Sequence, residues 1–336
     1  MRRILFVLLC VMMLPLSVGA QDKKHTLLNK ADSLLTHIFR AKGDTNYVVR
    51  PDKKLTLRLL NNVSGTNFTF RSNETGNVED RYKFLFKDPL RYTVTLSANY
   101  RGLAVALAFN PANIFGKHTS TEFNINSYGN KFGFDVIYEN NGQFEASMTD
   151  SDGTFDLGEV DISEKSLTIN GYYAFNYKRF SYPAAFSQSY IQKKSAGSIM
   201  IGASYHRSTL KINGVEEAEP DPEYDDLHKI KTSYAGIGIG YGYNFVPTRN
   251  WLIHLSALPT LVVWNENKVV LTTRVDKLQS KFPEYSIVGR ASVVRYFKSF
   301  FTGLTLVYNY TSVGDRDIIR LSHNKWRTRF ILGMRF

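Results

Sequence analysis

The chain has 336 residues, 43% hydrophobic and 14% aromatic, with a net charge of +12 and a single cysteine. At roughly 100–200 residues per domain this length suits one large domain or two ordinary ones, and the hydrophobic content excludes intrinsic disorder. One Cys excludes a disulfide framework and multi-Cys metal sites, while the basic balance taken alone points toward nucleic acid.

The first twenty residues redirect that last reading. Arg2 and Arg3 precede an apolar stretch from Ile4 to Leu16, and Ser17-Val18-Gly19-Ala20 supplies small residues for cleavage. This is the pattern of a Sec-type signal peptide cut after Ala20. The stretch is too short for a transmembrane helix, which needs about 20 apolar residues. Cys10 does not read as a lipoprotein anchor, because Leu9 before it is too large and the apolar run continues past it. Cleavage removes Cys10 and two arginines, so the net charge falls from +12 to +10. An exported chain has no cytosolic nucleic-acid role.

From about 24 to 41, Leu27, Leu28, Ala31, Leu34, Leu35, Ile38 and Phe39 fall at the spacing of an amphipathic helix. After Asp44 the period changes to two. Tyr92, Val94, Leu96, Ala98 and Tyr100 alternate with Thr93, Thr95, Ser97 and Asn99, and the same rhythm returns in segment after segment. About twelve such segments are predicted, near 55–64, 92–100, 103–109, 119–127, 131–139, 166–175, 196–206, 232–244, 251–264, 285–297, 300–311 and 327–336. Most are longer than the 5–6 residues usual in soluble sheets, and aromatics gather at their ends (Tyr241, Tyr243, Trp251, Tyr308, Tyr310). No run approaches the length of a membrane helix, so a membrane protein of this kind is a closed β-barrel. A secreted β-sandwich also alternates; strand length and aromatic ends favour the barrel.

Connection lengths agree. Short links at Arg101-Gly102, 128–130, 245–250 and 298–299 fall on one side, and long ones at 65–91, 207–231, 265–284 and 312–326 on the other. Barrels place the short turns and the termini in the periplasm. The link from about 176 to 195 breaks this rule by its length, and 142–149 reads as a possible additional strand. The last strand alternates Phe330, Leu332, Met334 and Phe336, and its terminal Phe336 reads as an insertion signal. The predicted organisation is a signal peptide over 1–20, a periplasmic helix and linker over 21–50, and an outer-membrane barrel over 51–336, all-β, antiparallel and up-and-down with about twelve strands.

Three stretches carry a resemblance: Asp44-Thr45-Asn46-Tyr47-Val48, Ser181-Tyr182-Pro183-Ala184-Ala185-Phe186 and Gln192-Lys193-Lys194-Ser195-Ala196-Gly197-Ser198. They resemble segments of a Bacteroidetes-type family of outer-membrane barrels catalogued as a domain of unknown function. The resemblance covers about 44–336 and implies a barrel in a Gram-negative outer membrane, with no catalytic residue and no ligand.

The inward faces carry charge of both signs. Arg58, Glu122, Asp135, Arg290, Arg327 and Arg329 lie opposite the apolar positions of their strands, where they line a pore or fill a lumen with salt bridges. Gly236, Gly238, Gly240 and Gly242 share one face of a strand and clear a groove. The segment best suited to fill it is 176–195, whose Ser181, Tyr182, Pro183 and Phe186 form a candidate plug; a plain periplasmic loop is the alternative. The acidic residues Glu216, Glu217, Glu219, Asp221, Glu223, Asp225 and Asp226 read as a solvated outer loop rather than a calcium site, and Asp150-Ser151-Asp152-Gly153 has its glycine in the wrong place for an EF-hand.

Of seven histidines only His206 and His254 fall on inward strand faces, with no readable Ser–His–acid spacing. The expectation is a non-enzyme without cofactor or metal: a passive channel or binding barrel for small polar solutes, anions among them. The alternatives are a closed structural or interaction barrel and a lipid-modifying enzyme. Arg50, Lys53, Lys54, Arg249, Lys298 and Arg320 at strand ends suit lipid head groups. The expected partners are therefore outer-membrane lipids, lipopolysaccharide included, together with the barrel insertion machinery.

Overall fold

A computed structural model describes residues 43–53, 55–73, 81–100, 103–111, 121–212, 227–271, 275–277, 283–314 and 319–336. The predicted signal peptide, the predicted helix of 24–41, Lys54 and the acidic loop residues lie outside them. No described helix is long and apolar enough to cross a membrane.

The strands are β1 (Val48–Val49), β2 (Leu55–Asn73), β3 (Arg81–Lys87), β4 (Arg91–Tyr100), β5 (Leu103–Phe109), β6 (Thr121–Tyr128), β7 (Phe132–Thr149) and β8 (Thr154–Ala174). They continue with β9 (Ile191–Gln192), β10 (Ala196–Ile212), β11 (Leu227–Phe245), β12 (Trp251–Leu271), β13 (Val275–Lys277), β14 (Tyr285–Tyr296), β15 (Phe300–Gly314) and β16 (Ile319–Arg335). All pairings are antiparallel. The sheet closes on itself where β16 pairs β2, from Ile319↔Ser72 to Arg335↔Thr56. Phe336 completes that seam, exchanging backbone hydrogen bonds with Leu55 at 2.9 and 3.3 Å. Closure removes, around that circuit, the sheet edges that lipid cannot satisfy.

The alternation read from the sequence sorts side chains across this wall. Outward Ile237, Ile239 and Leu255 are 59%, 68% and 69% exposed, whereas inward Leu252 and His254 are 0% and 1% exposed. At the short-turn end, Lys131 stacks on Phe132, Tyr173 and Tyr177, and Arg295 on Trp251 and Phe297 at 5.1 and 4.9 Å. These cations set their charged heads over ring faces at the rim.

The ring changes strand number along its length. β3 and β4 together pair with β2, interrupted at 88–90, where Pro89 has no N–H to give. Toward the long-loop end the free edge of β3 pairs β7 (Lys83↔Thr149 to Lys87↔Glu145), which completes a circuit of ten strands. Toward the short-turn end β4 turns to β5 instead, and β7 to β6. Among the described residues β5 and β6 share no ladder. The predicted long link 65–91 is therefore corrected: it contains the outer half of β2 and all of β3. Likewise 142–149 is not a separate strand but the continuation of β7.

The glycine stripe is also corrected. Gly236, Gly238, Gly240 and Gly242 do face inward, but the neighbouring wall strand takes most of their space. A Cβ on Gly238 would lie 2.0 Å from the Pro259 oxygen, and one on Gly240 2.2 Å from the Ala257 oxygen. Pro259 has no N–H to donate to the β11 ladder, which runs from Gly238↔Thr260 to Tyr241↔Ala257 around it. Only Gly242 meets the 176–195 segment, through Phe180 Cζ at 3.0 Å. Gly238→Leu is expected to cost about 3 kcal/mol or to block assembly by overpacking against backbone. Gly171→Ala, whose nearest neighbour is 3.9 Å away, is expected to be near neutral in the same urea-unfolding measurement.

Candidate functional site in the barrel lumen

The long link between β8 and β10 turns inward at the short-turn end. Its core is α1 (Tyr182–Phe186), with Ser181 as N-cap accepting from the Ala184 N–H at 3.3 Å and Pro183 in the first turn. Both residues suit a helix start. Phe180, Ser181, Tyr182, Ala184 and Ala185 are at most 1% exposed, and Pro183 and Phe186 are buried with them. The Tyr182 ring packs on Tyr172, His254 and Phe186 at 4.6, 5.0 and 5.1 Å. On the outside, β1 pairs β9 and the Lys193 N–H donates to the Tyr47 oxygen at 2.7 Å, so 44–50 and 191–193 zip together beneath the barrel.

A helix this short leaves its last carbonyls without partners of its own, and the barrel wall supplies them. Tyr296 OH donates to the Ala184 oxygen at 3.1 Å and Ser292 to the Ala185 oxygen at 3.1 Å. Arg58 reaches the Ser187 oxygen at 2.8 Å and Arg335 the Gln188 oxygen at 2.9 Å. Gln188 sits just past the helix at φ 52°, the left-handed position where glycine usually ends a helix.

One hydrogen-bond chain joins α1 to four strands (β9, β11, β12 and β14) with a fixed direction. Gln192 Nε2 donates to the Arg179 and Lys194 oxygens, so its Oε1 accepts from Asn244 Nδ2 at 2.9 Å. That leaves Asn244 Oδ1 facing His254 Nδ1 at 2.7 Å, which puts the ring proton on Nδ1. His254 Nε2 then accepts from Ser256 Oγ at 2.9 Å, Ser256 accepts from Tyr182 OH at 3.1 Å, and Tyr182 accepts from Arg290 Nη1 at 3.0 Å. Asn–His–Ser in this order has the polarity of a general-base relay. Here the serine is buried and already engaged by Tyr182, so the chain anchors α1.

Above this seat lies a tier of charge. Arg290 pairs with Asp135, which also accepts from Tyr128 OH at 2.7 Å. Lys325 pairs with Glu139 at 2.6 Å, and Arg327 with Glu122. Arg91 binds Asp88 at 2.5 Å and Asn141, and stands 3.7 Å from both Glu122 and Glu139. It sits at the start of β4, where β7 turns from β3 to β6, so side-chain charge bridges the place where the backbone ladder divides. Arg329 donates from Nε to Asn62 Oδ1 at 2.6 Å. A cavity of about 30 Å³ runs through this tier, bounded by Asn124, Tyr128, Arg290, Lys325, Arg327 and Arg329 among others.

Toward the long-loop end, His206 stacks on Tyr234 at 5.1 Å and hydrogen-bonds Thr168 at 2.9 Å. His323, which the sequence reading did not place inside, stacks on Phe68 at 4.6 Å and lies 5.3 Å from His206. A second cavity, about 20 Å³, adjoins them. Phe144, Ile162, Leu210 and Ile230 close over this tier.

The structure thus brings Arg58, Glu122, Asp135, Arg290, Arg327 and Arg329 together in one lumen with Ser181, Tyr182, Pro183 and Phe186. Phe336 stands apart, half exposed on the outer face. Sequence reasoning missed Asp88, Arg91, Glu139 and Lys325; for Glu139 and Lys325, the period-two faces of their strands carried the signal. Asp150 caps the β7–β8 turn, its Oδ1 accepting from the Asp152 and Gly153 N–H groups at 2.8 and 3.1 Å. Among the described residues no group of three metal-ligating side chains is placed to hold an ion.

The model of a family described as Domain of unknown function (DUF4421) matches residues 42–336. No curated protein matches the chain. Among solved structures, the outer-membrane protease OmpT of Escherichia coli aligns with 85% of this chain and 97% of its own, at 11% identity and a TM-score of 0.40. The toluene transporter TodX of P. putida aligns with 85% and 91%, at 9% identity and a TM-score of 0.30. The translocator domain of the autotransporter NalP from Neisseria meningitidis covers 94% and 98%, at 10% identity and a TM-score of 0.29. Likenesses this distant say nothing about activity.

Proposed function

We propose, for a chain that belongs to the family described as a domain of unknown function, DUF4421, that it is an outer-membrane barrel whose lumen holds small anionic solutes and does not conduct while α1 is seated. The observation that carries this is the contrast between the two faces of the wall. The outer face presents exposed aliphatic and aromatic side chains around the circuit, a surface suited to lipid. Across the charge tier, between apolar clusters at either end, the inner face is polar and rich in Arg and Lys, and among the described residues Arg58, Arg329 and Arg335 have no carboxylate within ion-pair distance. A passive channel needs a continuous aqueous path; cavities of about 30 and 20 Å³ hold only a few waters. We therefore read the protein as a binding barrel that is closed at rest.

This reading includes export by the predicted signal peptide with cleavage near Ala20, a Gram-negative, Bacteroidetes-type setting, and contact with lipopolysaccharide and the insertion machinery. A structural barrel that docks envelope partners is the second reading, favoured by the zipping of 44–50 onto the link that carries α1. Separation of cell membranes tests the location. The protein is expected in the outer-membrane fraction, migrating faster on a detergent gel before heating than after. Recovery in the soluble periplasm would sink the barrel reading.

A further inference from the structure

We infer that the cavity of about 30 Å³ in the charge tier is a binding site for one small monovalent inorganic anion, of chloride or bromide size, held against Arg329. The inference rests on the reading of the lumen as a solute-holding space and names the site and the ligand class.

Four cations line the cavity, and three have their own carboxylate: Arg290 has Asp135, Lys325 has Glu139 and Arg327 has Glu122. The fourth, Arg329, has none among the described residues. Its only polar partner there is the neutral Asn62 Oδ1, at 2.6 Å. Arg58, on the neighbouring strand, is likewise spent on neutral oxygens, the Ser187 carbonyl at 2.8 Å and Ser97 Oγ at 3.0 Å. A guanidinium drawn partly out of water with no carboxylate at ion-pair distance is costly, and the cost is relieved by an anion or by removal of the charge.

The rest of the wall suits an anion. Asn170, Thr305 and Asn309 face the cavity, and among the described residues their side chains make no hydrogen bond, which leaves amide and hydroxyl donors for a guest. Asp135, the one carboxylate lining the cavity, is already taken by Arg290 and Tyr128. The volume admits roughly two water-sized particles, so a halide with one water fits, whereas a sugar acid or nucleotide does not.

The sign of the response separates this site from a structural role for Arg329. Unfolding of the purified barrel is followed in sodium bromide and in sodium gluconate at equal ionic strength, gluconate being too large to enter. Wild type is expected to melt about 2–4 °C higher in 300 mM bromide than in gluconate. Arg329→Gln is expected to lose that difference while melting in gluconate no lower than wild type, because a half-buried charge with no carboxylate at ion-pair distance has been removed; Arg329→Lys should keep part of it. Crystals soaked in bromide should give an anomalous peak between Arg290, Arg327 and Arg329. An empty cavity with bromide only at surface lysines, or an equal salt response in wild type and Arg329→Gln, overturns the site. A bromide peak in a barrel that conducts with α1 seated, or that stays silent once α1 is unseated, would keep the site and overturn the reading of a lumen closed by α1, so the two failures are distinguishable.

Discussion

Asp135→Asn is expected to lower the stability of the barrel by about 3–5 kcal/mol, the cost of leaving one member of a buried ion pair uncompensated. Asp135 and Arg290 are 4% and 6% exposed and face each other across the lumen from β7 and β14. Removal of the carboxylate strands the Arg290 guanidinium, loosens Tyr128, and leaves Arg290 hydrogen-bonded to Tyr182 without its counter-charge. Asp135→Asn combined with Arg290→Met should recover most of the loss, since the unpaired charge goes with its partner. Urea unfolding followed by the folded band on unheated gels checks both variants. Equal losses in the single and double variants would mean that the pair is not the stabilising unit.

The second large effect concerns α1. Tyr182 fills the seat with its ring and ties α1 to Ser256 and Arg290 with its hydroxyl. Truncation of a buried aromatic of this size costs about 3–5 kcal/mol locally, and Phe186 adds the neighbouring ring at 5.1 Å. The strand ladders do not pass through α1. The double variant Tyr182→Ala/Phe186→Ala is therefore expected to unseat the segment while the wall stays closed through β16 and β2. The four wall donors to the Ala184, Ala185, Ser187 and Gln188 oxygens would then face water, and two of them are arginines. Such an opening exposes a cationic lumen, and the current through it should be carried by anions.

Much of this architecture was written in the period of two. Phe330, Leu332 and Met334 fall outward and Arg327, Arg329 and Ile331 inward because a strand side chain has only two directions. The 176–195 link announced itself by its length in a place where a tight turn belongs, and Ser181-Tyr182-Pro183 carries a helix start in its residues. What could not be read depends on partners distant in sequence. The fork at Asp88 and Arg91 exists because β7, some fifty residues on, pairs β3 above Pro89 and β6 below it. The glycine stripe looked like a groove because the approach of Pro259 and Ala257 from the next strand leaves no mark on β11. His323 lies in an outer strand half that the alternation placed beyond the segment end, and its inward stacking on Phe68 follows from the β16–β2 register.

Planar-bilayer recording of the purified barrel tests the closed, anion-holding lumen most directly. Wild type is expected to be silent, and Tyr182→Ala/Phe186→Ala, verified as folded by its heat-modifiable band, to give discrete steps with a reversal potential that favours anions. Steps of equal size in wild type, a folded variant that stays silent, or a current carried by cations would contradict the account.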